Sequence, residues 1–289
     1  MRYESAPAFR AALETRLAQR ARDTGIDLGR LRRRAVFERL LARLAAQDRD
    51  RWVLKGGTAL EARISDRARA TRDLDLVIRG EIETGGAMRE ALLVAIQVDL
   101  DGDGFVFVVS QPQPLSDDEA GRPGSRFSVT ASLAGRTFER LRVDLVARGE
   151  ELYGTETLRL PGSTFDFAGI AAPVVEIINR EQHFAEKLHA FTREYRDRPN
   201  TRVKDLADLV ILIDDGLTPS PMLCRAVRHV YSVRGPSPPP TELPDPPVHW
   251  RVRYAEIVKD LDLSARTLEA AMVALRAFWQ TTLSAIEEQ

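Results

Sequence analysis

Residues 72–80, RDLDLVIRG, alternate polar and apolar side chains with a period of two. That period belongs to a β-strand, in which residues two apart share a face. Leu74, Leu76 and Ile78 then point one way, while Asp73 and Asp75 point the other. Such a strand needs a sheet with one face against a core and the other carrying two adjacent carboxylates. Register is tightly set, because a one-residue slip would bury both aspartates.

The surrounding pattern extends this into a lobe. Residues 7–48 read as helical, with Leu31, Val36, Leu40, Leu41 and Leu44 near helical spacing. RWVLKGG (51–57) is a short strand ending in a glycine turn, and TALEARIS restarts a helix with Thr58 as its expected N-cap. AMREALLVAIQ is a further helix. Residues 105–110, 126–134 and 137–148 read as strands, the last two joined by a hairpin turn at Gly135. From about residue 173 onward nearly everything reads as helix, including VVEIINREQHFAEKLHAFTREY. Residues 235–247 carry Pro236, Pro238, Pro239, Pro240, Pro244, Pro246 and Pro247, so they form a stiff loop or linker. The expected fold class is α+β: a mixed-sheet lobe flanked by helices over 1–165, then a mainly helical lobe over 166–289.

Composition narrows the function classes. No apolar run reaches the roughly 18–20 residues that span a bilayer, and the charged N-terminal stretch lacks the apolar core of a signal peptide. A cytoplasmic protein is expected. One cysteine, Cys224, excludes an intramolecular disulfide framework, and four scattered histidines argue against a His-based metal site. A net charge of −1 gives no global pull toward nucleic acid. Arginine supplies nearly all the positive charge, since the lysines are only Lys55, Lys187, Lys204 and Lys259.

Two carboxylates side by side repel unless they are exposed, partly protonated or bridged by a cation. Magnesium or manganese bound by one or two carboxylates together with substrate phosphates meets that need. An isolated D-x-D more often marks an acidic edge strand, but the neighbours favour a site. Gly56 and Gly57 let backbone approach a ligand, and the helix that follows offers unpaired N–H groups to an anion. The turn lacks the P-loop spacing. Asp144 in RLRVDLVAR points away from the apolar Leu141, Val143 and Leu145, so it is an additional candidate. Thr71 lies two residues before Asp73 on the same face, and phosphate there would repel a bound triphosphate.

KGGTAL (55–60) followed by DLDL (73–76) resembles the signature of the polymerase-β-like nucleotidyltransferase superfamily. Within it the chain most resembles the AbiEii/AbiGii toxin family, which includes the MenT toxins of mycobacteria. Two further stretches carry the likeness: AEKLHA, containing Lys187, and RVKDLADL (202–209), containing Lys204, Asp205 and Asp208. The resemblance covers about residues 50–215. It implies a nucleotidyltransferase-type sheet lobe and transfer of a nucleotidyl group from a nucleoside triphosphate with release of pyrophosphate. It also implies a cognate antitoxin, and a tRNA 3′ end as acceptor. Asp73 and Asp75 would hold the metal, Gly56, Gly57 and Thr58 would cradle the triphosphate, and Lys187 would contact phosphate. The essential helical aspartate would be Asp208 or Asp205, with Asp208 favoured. Read without the family, Lys187 is a lysine reaching out from an amphipathic helix, and the two aspartates are intrahelical partners. Arginines at 63–72 and 193–202 border these motifs and could meet an RNA backbone. A small molecule or a protein hydroxyl as acceptor, and a non-catalytic partner-binding module, are the competing functions.

Overall fold

The computed structural model describes residues 3–115, 124–162, 164–193, 199–235 and 237–287. The chain divides into two compact units. The first comprises Met1–Arg63, Ala70–Gly149 and Thr157–Ile177, and the second Ile64–Arg69, Glu150–Glu156 and Ile178–Gln289.

In the first unit, helices α1 (Ala6–Thr24) and α2 (Leu28–Asp48) lead into β1 (Trp52–Lys55), α3 (Gly56–Ile64) and β2 (Asp73–Ile78). Then follow α4 (Gly85–Ile96), β3 (Phe105–Val109), β4 (Gln113–Pro114), β5 (Gly124–Leu133), β6 (Arg136–Val146), β7 (Thr155–Arg159) and β8 (Val174–Ile178). The strands form one sheet in the order β3-β5-β6-β2-β1-β8-β7, with β4 also on β5. β2 is therefore central, parallel to β6 and antiparallel to β1. The alternation read from the sequence holds: Leu74, Leu76, Val143, Leu145, Phe127 and Val129 are buried on the core face. α2 lies against β1 and β6. Beneath the sheet, Phe9, Phe105 and Phe165 meet as a cluster of rings.

Two buried arginines of α2 grip one carboxylate. Arg43 Nη2 donates to Asp103 Oδ1 at 2.7 Å, and Arg39 Nε donates to its other oxygen. Burial alone would raise the Asp103 carboxyl, but the two guanidiniums outweigh it and hold it below the usual range. Removing one partner from such a group typically costs about 3–5 kcal/mol.

The second unit contains α5 (Arg180–Thr192), α6 (Val203–Asp214), α7 (Pro221–Arg234), α8 (Trp250–Val258) and α9 (Leu268–Glu287). Their starts are chemically marked. Asn179 caps α5 by accepting from Gln182 N at 2.8 Å, and Ser220 caps α7 just before Pro221. Phe184 packs on Phe278, and Phe191 on Trp250. The proline-rich segment is a strap fastened within this unit. Trp279 Nε1 donates to Pro240 O at 2.9 Å, Gln280 to Thr241 O at 2.9 Å, and Arg276 to Asp245 at 2.6 Å. Pro236 lies outside the described residues.

Two local expectations need correction, and two strands come in addition. VVEII is the strand β8, parallel to β1, and the helix begins only at Arg180. A short apolar run fits a buried strand as well as a buried helix turn, and β-branched composition decides for the strand. β7 and β4 carry no clear alternation and were not anticipated. Thr58 is not an N-cap: the helix already begins at Gly56, and the Thr58 hydroxyl donates elsewhere.

Candidate active site

β1 ends where Lys55 pairs with Asp75 of β2, and the chain turns at once into α3. Gly56 makes this turn with φ of +63°, a left-handed conformation. A Cβ on Gly56 would sit 2.1 Å from Asp75 Oδ2, so the turn backbone lies directly against that carboxylate. Gly57 and Thr58 follow, both buried. Thr58 Oγ1 donates to the carbonyl of Asp73 at 2.6 Å, and Thr71 Oγ1 to the same oxygen at 3.4 Å. The Thr58 hydroxyl thus fixes the backbone of the aspartate strand rather than facing outward. Thr71 is 8% exposed, so its hydroxyl is screened unless the segment opens.

Pairing across the sheet builds a charged face. In one row lie Lys55, Asp75, Asp144 and Arg126, and in the next Asp73, Arg142 and Ser128. Asp73 and Asp75 share this face, as their spacing requires, and Asp144 joins them beside Asp75. Arg142 Nε stands 2.9 Å from Asp73 Oδ1. It lacks the alignment of a hydrogen bond, so this screened oxygen has a cationic neighbour but receives no proton. Arg126 forks onto Asp144, with Nε and Nη2 each 2.7 Å from one oxygen. That bond first, and the charges of Asp144, Asp73 and Asp75 with it, raise the Arg126 guanidinium further above its ordinary range.

In the second unit Lys187 of α5 meets both helical aspartates of α6. Its Nζ is 2.8 Å from Asp205 Oδ1 and 2.8 Å from Asp208 Oδ2. Arg69 forks onto Asp208, with Nε and Nη2 each at 2.7 Å. Asp208 is 0% exposed and Lys187 12%. Burial would neutralise both groups, but the attractions between them win. Lys187 is held well above the usual lysine range by Asp205 and Asp208, and Asp208 well below the carboxylate range by Lys187 and Arg69. Lys187 is therefore a largely buried, paired ammonium and not a side chain reaching out from its helix. Asp205 and Asp208 both reach across to Lys187 of α5. Lys204 points to the exposed side of α6.

Of the arginines bordering the motifs, Arg67 bonds Asp215 at 2.6 Å, Arg69 holds Asp208, and Arg202 is 3.8 Å from Asp205. Arg196 and Arg198 lie outside the described residues. Arg69 and Arg126 escaped the sequence reading as individual partners, whereas Arg142, two residues before Asp144, shares its face on spacing alone. For Arg126 no such signal was available. Counting back from the hairpin turn puts Asp144 opposite Ser125, and only the bulge at Ala131/Ser132 shifts the register to Arg126.

A divalent ion fits this donor set. Asp73 and Asp75 supply two hard carboxylates on one strand face, and a Cβ-free backbone lies against one of them. Among the described residues no group of three or more His, Cys, Asp or Glu is arranged to hold a metal. None of the described helices is long and apolar enough to cross a membrane.

Fold and site together define a nucleotidyltransferase-type protein, with a mixed sheet whose central strand presents paired aspartates beside a glycine turn. The family model for the nucleotidyl transferase AbiEii toxin of type IV toxin–antitoxin systems matches residues 39–281, and the chain belongs to that family. MenT4, a nucleotidyltransferase toxin of Mycobacterium tuberculosis, is similar in structure: TM-score 0.62, 20% identity, covering 93% of this chain and 89% of that one. At that identity the likeness shows the fold. JHP933 from Helicobacter pylori superposes with a TM-score of 0.45 at 15% identity, covering 90% of this chain and 94% of that one. No curated protein gives a significant sequence match.

Proposed function

We propose that the protein is a divalent-metal-dependent nucleotidyltransferase toxin. It would transfer a nucleoside monophosphate from a nucleoside triphosphate to the 3′-terminal hydroxyl of tRNA, and so block translation until a cognate antitoxin intervenes. The observation that carries this reading is the pair Asp73 and Asp75 on the central strand, with the Gly56 backbone packed against Asp75.

In this reading Asp73 and Asp75 hold magnesium or manganese. The ion would supply charge neutralisation on the triphosphate oxygens and on the departing pyrophosphate. The protein's own groups do the rest. The Gly56–Gly57 turn and the start of α3 receive phosphate through backbone N–H groups. The Thr58 hydroxyl, by holding the Asp73 carbonyl, keeps the aspartate strand in place beside that turn. In the second unit, the family resemblance implies Lys187 as a phosphate contact, with Asp208 orienting that lysine and Asp205 as its second carboxylate partner. The acceptor oxygen bonds the α-phosphorus as its proton is released to solvent. The bond to the β-phosphate oxygen breaks, and pyrophosphate leaves with that electron pair. Phosphorylation of Thr71 would set about −1.5 to −2 charges beside Asp73 and oppose triphosphate binding.

The test combines purified protein, magnesium, each α-labelled nucleoside triphosphate in turn and total tRNA, with Asp73→Ala alongside. Label that enters tRNA with the wild type and vanishes with the variant supports the reading and names the base. A folded protein that labels no tRNA, but labels another hydroxyl, would overturn the tRNA assignment. A protein that turns over no triphosphate at all would overturn the enzyme.

A further inference from the structure

Three carboxylates share the outer face of the sheet, yet their surroundings differ. Asp144 has each oxygen bonded to one nitrogen of Arg126 at 2.7 Å. A metal could take Asp144 only by displacing a bidentate, charge-assisted fork, among the strongest side-chain pairings available. Among the described residues Asp73 Oδ1 has only one cationic neighbour, Arg142 Nε at 2.9 Å, which is half-exposed, makes no hydrogen bond to it and holds it by no fork. The Arg126–Asp144 pair is not an interior lock: the arginine side chain is 36% exposed and the aspartate 16%. The fork uses one edge of a planar guanidinium that carries five N–H donors. Its Nη1 makes no hydrogen bond to any described residue.

Arg126 also sits in the same row as Asp75, one strand beyond Asp144, and its charge feels all three carboxylates. An anion drawn to a cation held by Asp73 and Asp75 would meet the remaining donors of this guanidinium next. A guanidinium aimed by one acidic group and open along another edge is well placed to bind a second acidic group.

We propose that Arg126 is a triphosphate-binding cation of the sheet face, and that Asp144 is a positioning residue that aims it and not a metal ligand. The proposal rests on the nucleotidyltransferase reading only for the ligand being a nucleoside triphosphate. The face then has two metal-binding carboxylates, with a guanidinium where a third carboxylate would otherwise draw the ion.

The experiment measures binding to the full chain, free of turnover. Manganese is titrated by water-proton relaxation, and tripolyphosphate and ATP by calorimetry at saturating calcium. The proteins are wild type, Asp75→Asn, Asp144→Asn, Arg126→Ala and Arg126→Lys, each checked by thermal melting. Loss of a true ligand should weaken manganese at least about 10-fold in Asp75→Asn. Asp144→Asn should stay within a few-fold of wild type. Arg126→Ala, which removes a cation and frees a carboxylate, should bind manganese as tightly or more tightly. The same variant should bind tripolyphosphate at least about 10-fold more weakly, the loss of one charge-assisted bond. Arg126→Lys should recover part of that loss. In turnover, Arg126→Ala should raise KM more than it lowers kcat.

Asp144→Asn weakening manganese as much as Asp75→Asn would overturn the positioning role. Arg126→Ala binding tripolyphosphate like wild type would overturn the phosphate role. A parallel loss of manganese, tripolyphosphate and melting temperature in both Arg126 variants would reduce the pair to a cross-strand brace and overturn the proposal. A wild type that binds tripolyphosphate through Arg126 but transfers no nucleotide would sink the enzymatic reading while leaving this one standing.

Discussion

At Gly56 two demands coincide: a left-handed backbone at φ +63°, and a carboxylate oxygen of Asp75 2.1 Å from where any Cβ would lie. Gly56→Ala must therefore both strain the turn, at about 1–2 kcal/mol, and push Asp75 aside. The stability loss should be modest. On the proposed function, the loss of nucleotidyl transfer should be large, about 100-fold, because displacing a catalytic group by about 1 Å has that effect. Parallel melting and labelling assays check the split, and an alanine variant with near-normal transfer would show that the close approach is incidental. This contact was only half legible in the sequence. The glycine pair was conspicuous, but the residue filling the vacant Cβ position comes from the neighbouring strand. Only the register of Lys55 on Asp75 reveals it.

The hairpin of β5 and β6 turns at Ala134 and Gly135, both at positive φ, +53° and +69°. That is the backbone of a type I′ turn, which asparagine enters with little penalty and alanine does not. Ala134→Asn should stabilise the first unit by about 0.5–1 kcal/mol without touching activity, seen as a higher urea midpoint at unchanged slope. A lower midpoint would mean that the turn is shaped by something other than its own two residues. At this scale the sequence was most informative where alternation was sustained, as in β2, β5 and β6. β8 reads as helix in the sequence because VVEII is only five residues long and runs directly into the helical pattern that follows, too short for its alternation to stand out. The bulge, whose extra residue is Phe138 of β6, has no residue signature of its own, yet it decides that Arg126 and not Ser125 faces Asp144.

In the molecule as a whole, the lysine and the aspartates of the helical motifs do lie together, largely buried within the second unit and with Arg69 as a further member. Spacing on two separate helices could not show that pairing; only their packing does. Asp208 is held below the ordinary carboxylate range, so its contribution to stability is complete above about pH 4 and drains away as pH falls toward its folded value. Lys187 is held above the ordinary lysine range, so its contribution is complete below about pH 10 and is lost only as pH rises through its higher folded value. Asp208→Asn should cost up to about 3–5 kcal/mol at neutral pH, by leaving two largely buried cations short of a partner. It should also flatten the acid limb of stability between about pH 2 and 4. Urea midpoints across that range provide the measurement, and an unchanged acid limb would assign the pH sensitivity to other carboxylates.

Acylating reagents attack only the unprotonated amine, and this chain offers four side-chain lysines to them. Lys204 and Lys259 are exposed, whereas Lys187 is both enclosed and kept protonated by its two aspartates. At mild alkaline pH the exposed pair should therefore acquire the label promptly while Lys187 remains unmarked, as peptide mass spectrometry would show. Label arriving at Lys187 then serves as a clock for the opening of the second unit. A Lys187 that acquires label as fast as Lys259 would mean that the buried pairing is not kept in solution.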